Sequence, residues 1–87
     1  MKKRVLLLCS EGYGVRQYIT TKLIKEFRDK IQFVELQNGE LSPETISELR
    51  LDFIIADFQI DIDIVPIAVI SSTLSQRDIN HIAHLLK

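Results

Sequence analysis

The only cysteine of this 87-residue chain stands where an apolar run ends and a glycine-punctuated segment begins, in the stretch VLLLCSEGYGVRQ from Val5 to Gln17. A thiolate is the nucleophilic form of cysteine, so the surroundings of Cys9 decide whether it can do chemistry. Residues 10 to 14 read as a short loop feeding a helix. Backbone N–H groups converge in such a loop, and the helix N-terminus adds partial positive charge. Gly12 and Gly14 admit backbone conformations closed to other residues and let a ligand approach closely. An anion or a thiolate is expected to be stabilised there, with the thiol drawn below its reference pKa of about 8.5. Arg16 adds a full charge about one turn into the helix. A sulfur inside an anion cradle points to phosphoryl transfer through a cysteinyl-phosphate: the amides hold the phosphate oxygens while the sulfur attacks or leaves. The competing reading is a small buried apolar residue followed by an ordinary turn.

Other chemistries fit less well. A tyrosine-phosphatase cradle needs its arginine one residue nearer the cysteine than Arg16 stands. A response-regulator receiver would use Asp57 as phosphoacceptor, but needs an acidic pair where Cys9 and Ser10 stand. The P-loop signature is absent, and Gly12 and Gly14 lack the third glycine of a dinucleotide fingerprint. Cys9 has no C-x-x-C partner, which argues against a thioredoxin-like redox site. His81 and His84 share a helix face but lack a third ligand, so a solvated face is expected rather than a zinc site. Asp57, Asp61 and Asp63 resemble a metal cluster, but Gln59–Ile64 alternates polar and apolar and is read as a solvated loop or short strand. Such acids near Cys9 would raise its pKa and oppose the loop amides. Tyr13, at the loop tip, either stands exposed for a partner or covers the sulfur. Ser71, Ser72 and Thr73 are expected to help cap the last helix.

The elements that must position these residues follow from periodicity. Val5–Leu8 is continuously apolar, as in a strand covered on both faces. From Val15 to about Arg28 apolar residues recur every fourth position, at Val15, Ile19, Leu23 and Phe27, with Ile24 widening the stripe. Ile31–Leu36 reads as a strand with polar interruptions at Gln32 and Glu35, followed by an Asn38-Gly39 turn. Ser42-Pro43 opens a short helix, with Leu41 and Ile46 as its hydrophobic staple. Phe53–Ala56 and Val65–Ile70 are further strands. Ser75 and Asp78 resemble a capping box stapled by Leu74 and Ile79, and Ile79, Ile82, Ala83 and Leu86 give the last helix its apolar face.

The order β-α-β-α-β-β-α predicts an α/β three-layer sandwich, with helices on both faces of a four-stranded parallel sheet. Pro66 makes the fourth strand an edge, and polar interruptions make the second the other edge. Right-handed crossovers then give the order 2-1-3-4. Cys9 and Asp57 fall at the carboxyl ends of strands 1 and 3, the topological switch point where open α/β sheets bind ligands.

Composition sets the outer bounds. The chain is 46% hydrophobic and 26% charged, proportions of a single globular domain. A formal charge of −1 gives no reason to expect direct nucleic-acid contact. One cysteine cannot form an internal disulfide, which fits a reducing compartment. Val5–Leu8 is too short for a signal peptide, and no segment nears the roughly 18 apolar residues of a membrane span. A soluble, cytoplasmic domain with no membrane insertion is expected.

Taken together, strand–CSEGYG–helix, FIIADF and PIAVISSTLSQRDINHI resemble an enzyme IIB domain of the sugar phosphotransferase system. The likeness is greatest to galactitol-type IIB-like domains inside bacterial transcription regulators and antiterminators that carry phosphotransferase-regulation domains. It covers nearly all 87 residues, although its specific part is a cysteine and two glycines in position. The resemblance implies that Cys9 is the phosphoacceptor and that Ser10, Glu11, Gly12, Tyr13 and Gly14 form the loop that wraps the phosphate; Val15 and Arg16, next in the chain, are further candidate phosphate-binding positions. It implies a phosphohistidine donor protein of that system, an enzyme IIA or an HPr-like carrier, with no cofactor and no metal. It implies that residues 1–87 are one domain of a longer regulator, reporting sugar status to its other domains. Alternatives are a free-standing enzyme IIB that passes phosphate to an incoming sugar, and an interaction module that is never phosphorylated. The family commonly shows threonine then serine after the second glycine, where this chain has Val15 and Arg16. A guanidinium binds phosphate well, so Arg16 either compensates for the lost hydroxyls or marks a loop kept for a regulatory role.

Overall fold

In a computed structural model that describes residues 2–36 and 42–87, every expected strand and helix is present. Strand β1 spans Lys3–Leu8, helix α1 Tyr13–Phe27, strand β2 Ile31–Val34, helix α2 Pro43–Leu49, strand β3 Phe53–Ala56, strand β4 Ile67–Val69 and helix α3 Gln76–Leu85. A 3₁₀ turn, Arg28–Lys30, joins α1 to β2. The four strands form one parallel sheet in the order β2-β1-β3-β4. The Asn38-Gly39 turn and the Leu41 half of the first staple lie outside the described residues.

Strand alternation divides the core in two, because successive side chains point to opposite faces. Val5 and Leu7 of β1, with Phe53 and Ile55 of β3, pack with Ile19 and Leu23 of α1 and Ile79 and Ile82 of α3. Leu6 and Ile54 point the other way and pack with Ile46 of α2 and with Ile60, Ile62 and Val65 of the β3–β4 connection. Both central strands are therefore apolar at every core position, and the molecule has three layers. Truncating a wholly buried residue such as Ile54 to alanine is expected to cost roughly 2–5 kcal/mol.

The structure corrects several boundaries. Helix α1 begins at Tyr13, two residues before the apolar stripe, because a helix needs no apolar residue in its first turn. Ile24 does not widen that stripe: it is 48% exposed, one residue and about 100° beyond the wholly buried Leu23. Strand β2 ends at Val34, leaving Glu35 and Leu36 beyond the ladder. Strand β4 is shorter than its apolar run and starts after Pro66. The Pro66 carbonyl still accepts from the Ile54 amide at 3.0 Å. Proline thus sits on the edge strand side, where its missing donor costs nothing.

Arg4 has a use its sequence context did not suggest. Its Nε and Nη2 donate to the Leu49 carbonyl at 3.0 and 2.9 Å, at the C-terminus of α2. Cations are favoured at that end of a helix dipole. Asp52 Oδ2 accepts from the Arg4 amide at 2.8 Å, while the Asp52 amide donates back to the Arg4 carbonyl at 2.8 Å. This clamp ties the start of β3 to the start of β1 and helps fix the register on which the opposite end of the sheet depends.

Candidate functional site

Parallel register builds the corner. Leu8 stands opposite Ala56, so the next residues, Cys9 and Asp57, leave the sheet side by side. The Asp57 amide donates to the Leu8 carbonyl at 3.3 Å, extending the ladder by one step. The Asp57 carboxylate then reaches across. Its Oδ1 accepts from the Ser10 amide at 2.9 Å, and its Oδ2 accepts from the Cys9 thiol at 3.4 Å.

The loop that follows is shaped by one glycine. Gly12 is the N-cap of α1, with φ 99° and ψ −176°. That region is essentially reserved for glycine. Gly14 lies inside the helix without a positive φ, and a Cβ placed there would meet nothing within 4 Å. The expectation that both glycines serve the backbone conformation therefore holds for Gly12 alone. No side chain caps the helix, and its first-turn N–H groups have no acceptor within the helix. The Tyr13, Gly14 and Val15 amides are thus donors available to an anion.

The side chains around the sulfur separate into those at hand and those turned elsewhere. Cys9 is half-buried. It lines a groove of about 270 Å³ together with Leu7, Leu8, Arg16, Glu35 and Leu36. Arg16 Nη2 lies 3.6 Å from Glu35 Oε1, and both side chains are well exposed. Such a pair contributes little and is easily exchanged. Tyr13 is 78% exposed, which decides against its covering the sulfur. Val15 turns inward and packs on the α1-side core. Ser10 and Glu11 are exposed, and Ser10 meets Asp57 through its backbone amide. Asp61 and Asp63 are exposed, and among the described residues no group of three or more metal-binding side chains converges.

Loop amides and nearby acids pull the Cys9 thiol in opposite directions, a balance that the sequence leaves open; in the structure burial and the acids outweigh the amides. Burial pushes the Cys9 thiol above its ordinary pKa, and the Glu11 backbone amide pulling it down does not prevail. The hydrogen bond to Asp57 and the negative charges of Asp57 and Glu11 add to the rise. Removal from water would raise Asp57 in turn. Hydrogen bonds from the Ser10 amide and the Cys9 thiol, with a smaller pull from the Ser10 side chain, hold it below the usual carboxylate range. The resting corner is a neutral thiol donating to an ionised carboxylate. The residue that sequence reading undervalued is Asp57, placed at the right strand end but read mainly as part of an acidic loop. The signal that could have found its contact is register: equal offsets from the ends of two adjacent parallel strands.

No protein-family model matches the chain. It is similar to regulators of Bacillus anthracis. It is 32% identical over 84 residues to the capsule synthesis positive regulator AcpB, covering 97% of this chain and 17% of that protein. It is 27% identical over 84 residues to the anthrax toxin expression trans-acting positive regulator, covering 18% of that protein. It is 28% identical over 81 residues to the capsule synthesis positive regulator AcpA, covering 16% of it. The chain therefore spans less than a fifth of the length of these relatives. Among the described residues no helix is long and apolar enough to cross a membrane.

Proposed function

We propose that residues 1–87 form an enzyme IIB-like domain that accepts a phosphoryl group on Cys9 and serves as the regulatory domain of a transcription regulator. The observation that carries this reading is the placement of Cys9 at the carboxyl end of a central strand, one loop before a helix whose first amides no side chain caps. The proposed donor is a phosphohistidine on an enzyme IIA or HPr-like protein, and the setting is cytoplasmic. Phosphohistidine nitrogen gives up its phosphoryl group, an S–P bond forms, and the thiol proton ends on the imidazole or in water. The amides of residues 10 to 15 hold the phosphate oxygens. Arg16 leaves Glu35 and turns along the shared groove to neutralise the new charge. A carboxylate on a surface ion pair competes weakly with a phosphate dianion for a guanidinium. The names of the similar proteins favour a regulator over a free-standing enzyme IIB. In that setting the phosphorylated domain would report sugar status to the other domains of a parent chain.

The test is incubation with phosphoenolpyruvate and the general phosphotransferase proteins, followed by intact mass. A gain of one phosphoryl group on the native protein, and none on Cys9→Ser, is expected. An unchanged mass, under conditions that label an enzyme IIB, would sink the reading. One observation favours a module that is never phosphorylated: Asp57 already holds both the thiol and the Ser10 amide. That same mass measurement decides between the two.

A further inference from the structure

The Asp57 contact is more than a neighbouring charge. The Asp57 carboxylate has one oxygen on a loop amide and the other on the sulfur, contacts for which an anion carried on the sulfur would compete. We propose that Asp57 is the resting occupant of the anion position beside Cys9, and that a negative group on the sulfur displaces it, freeing the Ser10 amide and releasing the start of the β3–β4 connection. The half of this that concerns phosphate rests on the phosphorylation reading above. The contact itself does not.

The physics is direct. The Cys9 thiol is a donor only while it carries its proton, and it gives that donor to Asp57 Oδ2. Phosphorylation replaces the proton with a group carrying more than one negative charge. The donor is lost, and two anions are left within contact distance, one on the β1–α1 loop and one at the start of the β3–β4 connection. The Ser10 amide, 2.9 Å from Asp57 Oδ1, then has a stronger acceptor attached to the sulfur itself. The charged groups facing the sulfur are Asp57 from the β3–β4 connection, Glu11 from the loop, and Arg16 and Glu35 along the groove. Two of the three acids, Asp57 and Glu11, act on it directly. Asp57 is the one whose carboxylate is hydrogen-bonded to it. Its neighbour Phe58 is 40% exposed, while Ile60 and Ile62 further on pack against the α2-side core. Release at Asp57 would therefore move the exposed first turn of the connection, next to Cys9, without unpacking the rest. That gives phosphorylation a readable consequence on the protein surface.

The charge can be delivered without any phosphotransferase protein. Cys9 is the sole cysteine, so a methanethiosulfonate reagent marks it alone. The thiolate attacks the sulfenyl sulfur, a disulfide forms, methanesulfinate leaves, and the thiol proton goes to solvent. A sulfonatoethyl reagent places an anion on the sulfur, and a methyl reagent places a neutral group there. In amide NMR spectra the sulfonatoethyl adduct is expected to shift the Ser10, Asp57 and Phe58 resonances well beyond the methyl adduct. In Asp57→Asn that difference should vanish. Separately, Asp57→Asn should react with iodoacetamide at neutral pH on the order of three- to tenfold faster than the native protein, as the thiolate fraction rises. Glu11→Gln should change the rate less. Equal shifts from the two adducts, or an unaltered rate in Asp57→Asn, overturn the proposal, even if Cys9 proves to accept phosphate. Conversely, the expected shifts together with a failed phosphoryl transfer leave the displacement standing and sink only the donor.

Discussion

Two strand-to-helix corners at the carboxyl end of the sheet each put a serine two residues after a strand and an aspartate on its amide, and they use the pair in opposite ways. After β4, the Ser71 amide and hydroxyl donate to Asp78 Oδ2 at 3.1 and 2.9 Å. Asp78 is the third residue of α3 and also accepts from the Ser75 amide at 3.0 Å, while Ser75 Oγ accepts from the Asp78 amide. Loop and helix satisfy each other within eight residues of chain, a complete capping box. After β1, the aspartate comes from a different strand and binds a thiol and an amide of the loop. Helix α1 starts on a glycine with no side-chain cap. One corner is closed by hydrogen bonds local in the chain. The other is closed by one removable carboxylate. Donors left unsatisfied at a helix start lower stability, and their retention beside the only thiol is what a site for a transient anion requires.

The widest separation expected between the corners is functional. Cys9→Ser should abolish phosphoryl labelling while leaving the fold intact, and Asp78→Ala should leave labelling in place while loosening the fold. Intact mass of both variants, beside circular dichroism, measures this. Equal labelling of the two variants would remove the distinction. Next in size is the backbone. Gly12→Ala forces a side chain into its glycine-only conformation and should cost roughly 1–3 kcal/mol by urea denaturation. The matching change at the other N-cap, Ser75→Ala, removes a hydrogen bond and should cost about 1 kcal/mol.

Acid titration sharpens the contrast further. Hydrogen bonds hold both Asp57 and Asp78 below the usual carboxylate range, against the opposing effect of desolvation. A depressed folded pKa contributes stability that is fully present above the unfolded value of about 3.9 and is lost as pH falls through the folded value. The native protein should therefore lose stability as pH falls below about 4. Asp78→Asn should flatten that limb more than Asp57→Asn, since Asp78 accepts three hydrogen bonds and Asp57 two. Urea midpoints on either side of that range, for three proteins, are sufficient. Because both carboxylates are partly solvated, the difference should stay near 1 kcal/mol or below.

How far each corner could be read in advance follows from the range of its contacts. Ser75 and Asp78 stand three apart ahead of an apolar stripe, and the capping box is legible there because all its partners are local. Strand order was legible because Pro66 and the polar interruptions of β2 mark edges, and the unbroken runs of β1 and β3 mark the centre. The Cys9 loop was legible as a loop from its glycines. Its electrostatics were not, because the Cys9 pKa rises first through how deeply the loop buries the sulfur and then through Asp57, 48 residues away. Arg16 illustrates the same limit. Its place in the first turn of α1 is a matter of spacing, whereas its pairing with Glu35 depends on where β2 ends. Ile24 failed for a different reason: an isoleucine beside an apolar stripe reads as core, yet one step of 100° carries it to solvent.

The smallest expected effect is also the one that isolates the purpose of the open corner. Gly14 is the second residue of α1, where Arg77 is the second residue of α3. Nothing in the local backbone demands glycine at 14, and a Cβ there would meet no atom within 4 Å. On stability alone Gly14→Ala should be favourable, by up to about 1 kcal/mol for a residue within a helix and less in its first turn. If the empty space above Gly14 is where phosphate oxygens approach the amides, the same alanine should slow phosphoryl transfer to Cys9 while raising the melting temperature. Arg77→Gly offers the mirror image, a loss of similar size with no change in labelling. Opposite signs for stability and transfer rate in Gly14→Ala would identify the glycine as kept for access. A stabilised protein that labels at the native rate would show that the first turn of α1 does not meet the phosphate, and would restrict the cradle to the amides of Ser10, Glu11 and Gly12.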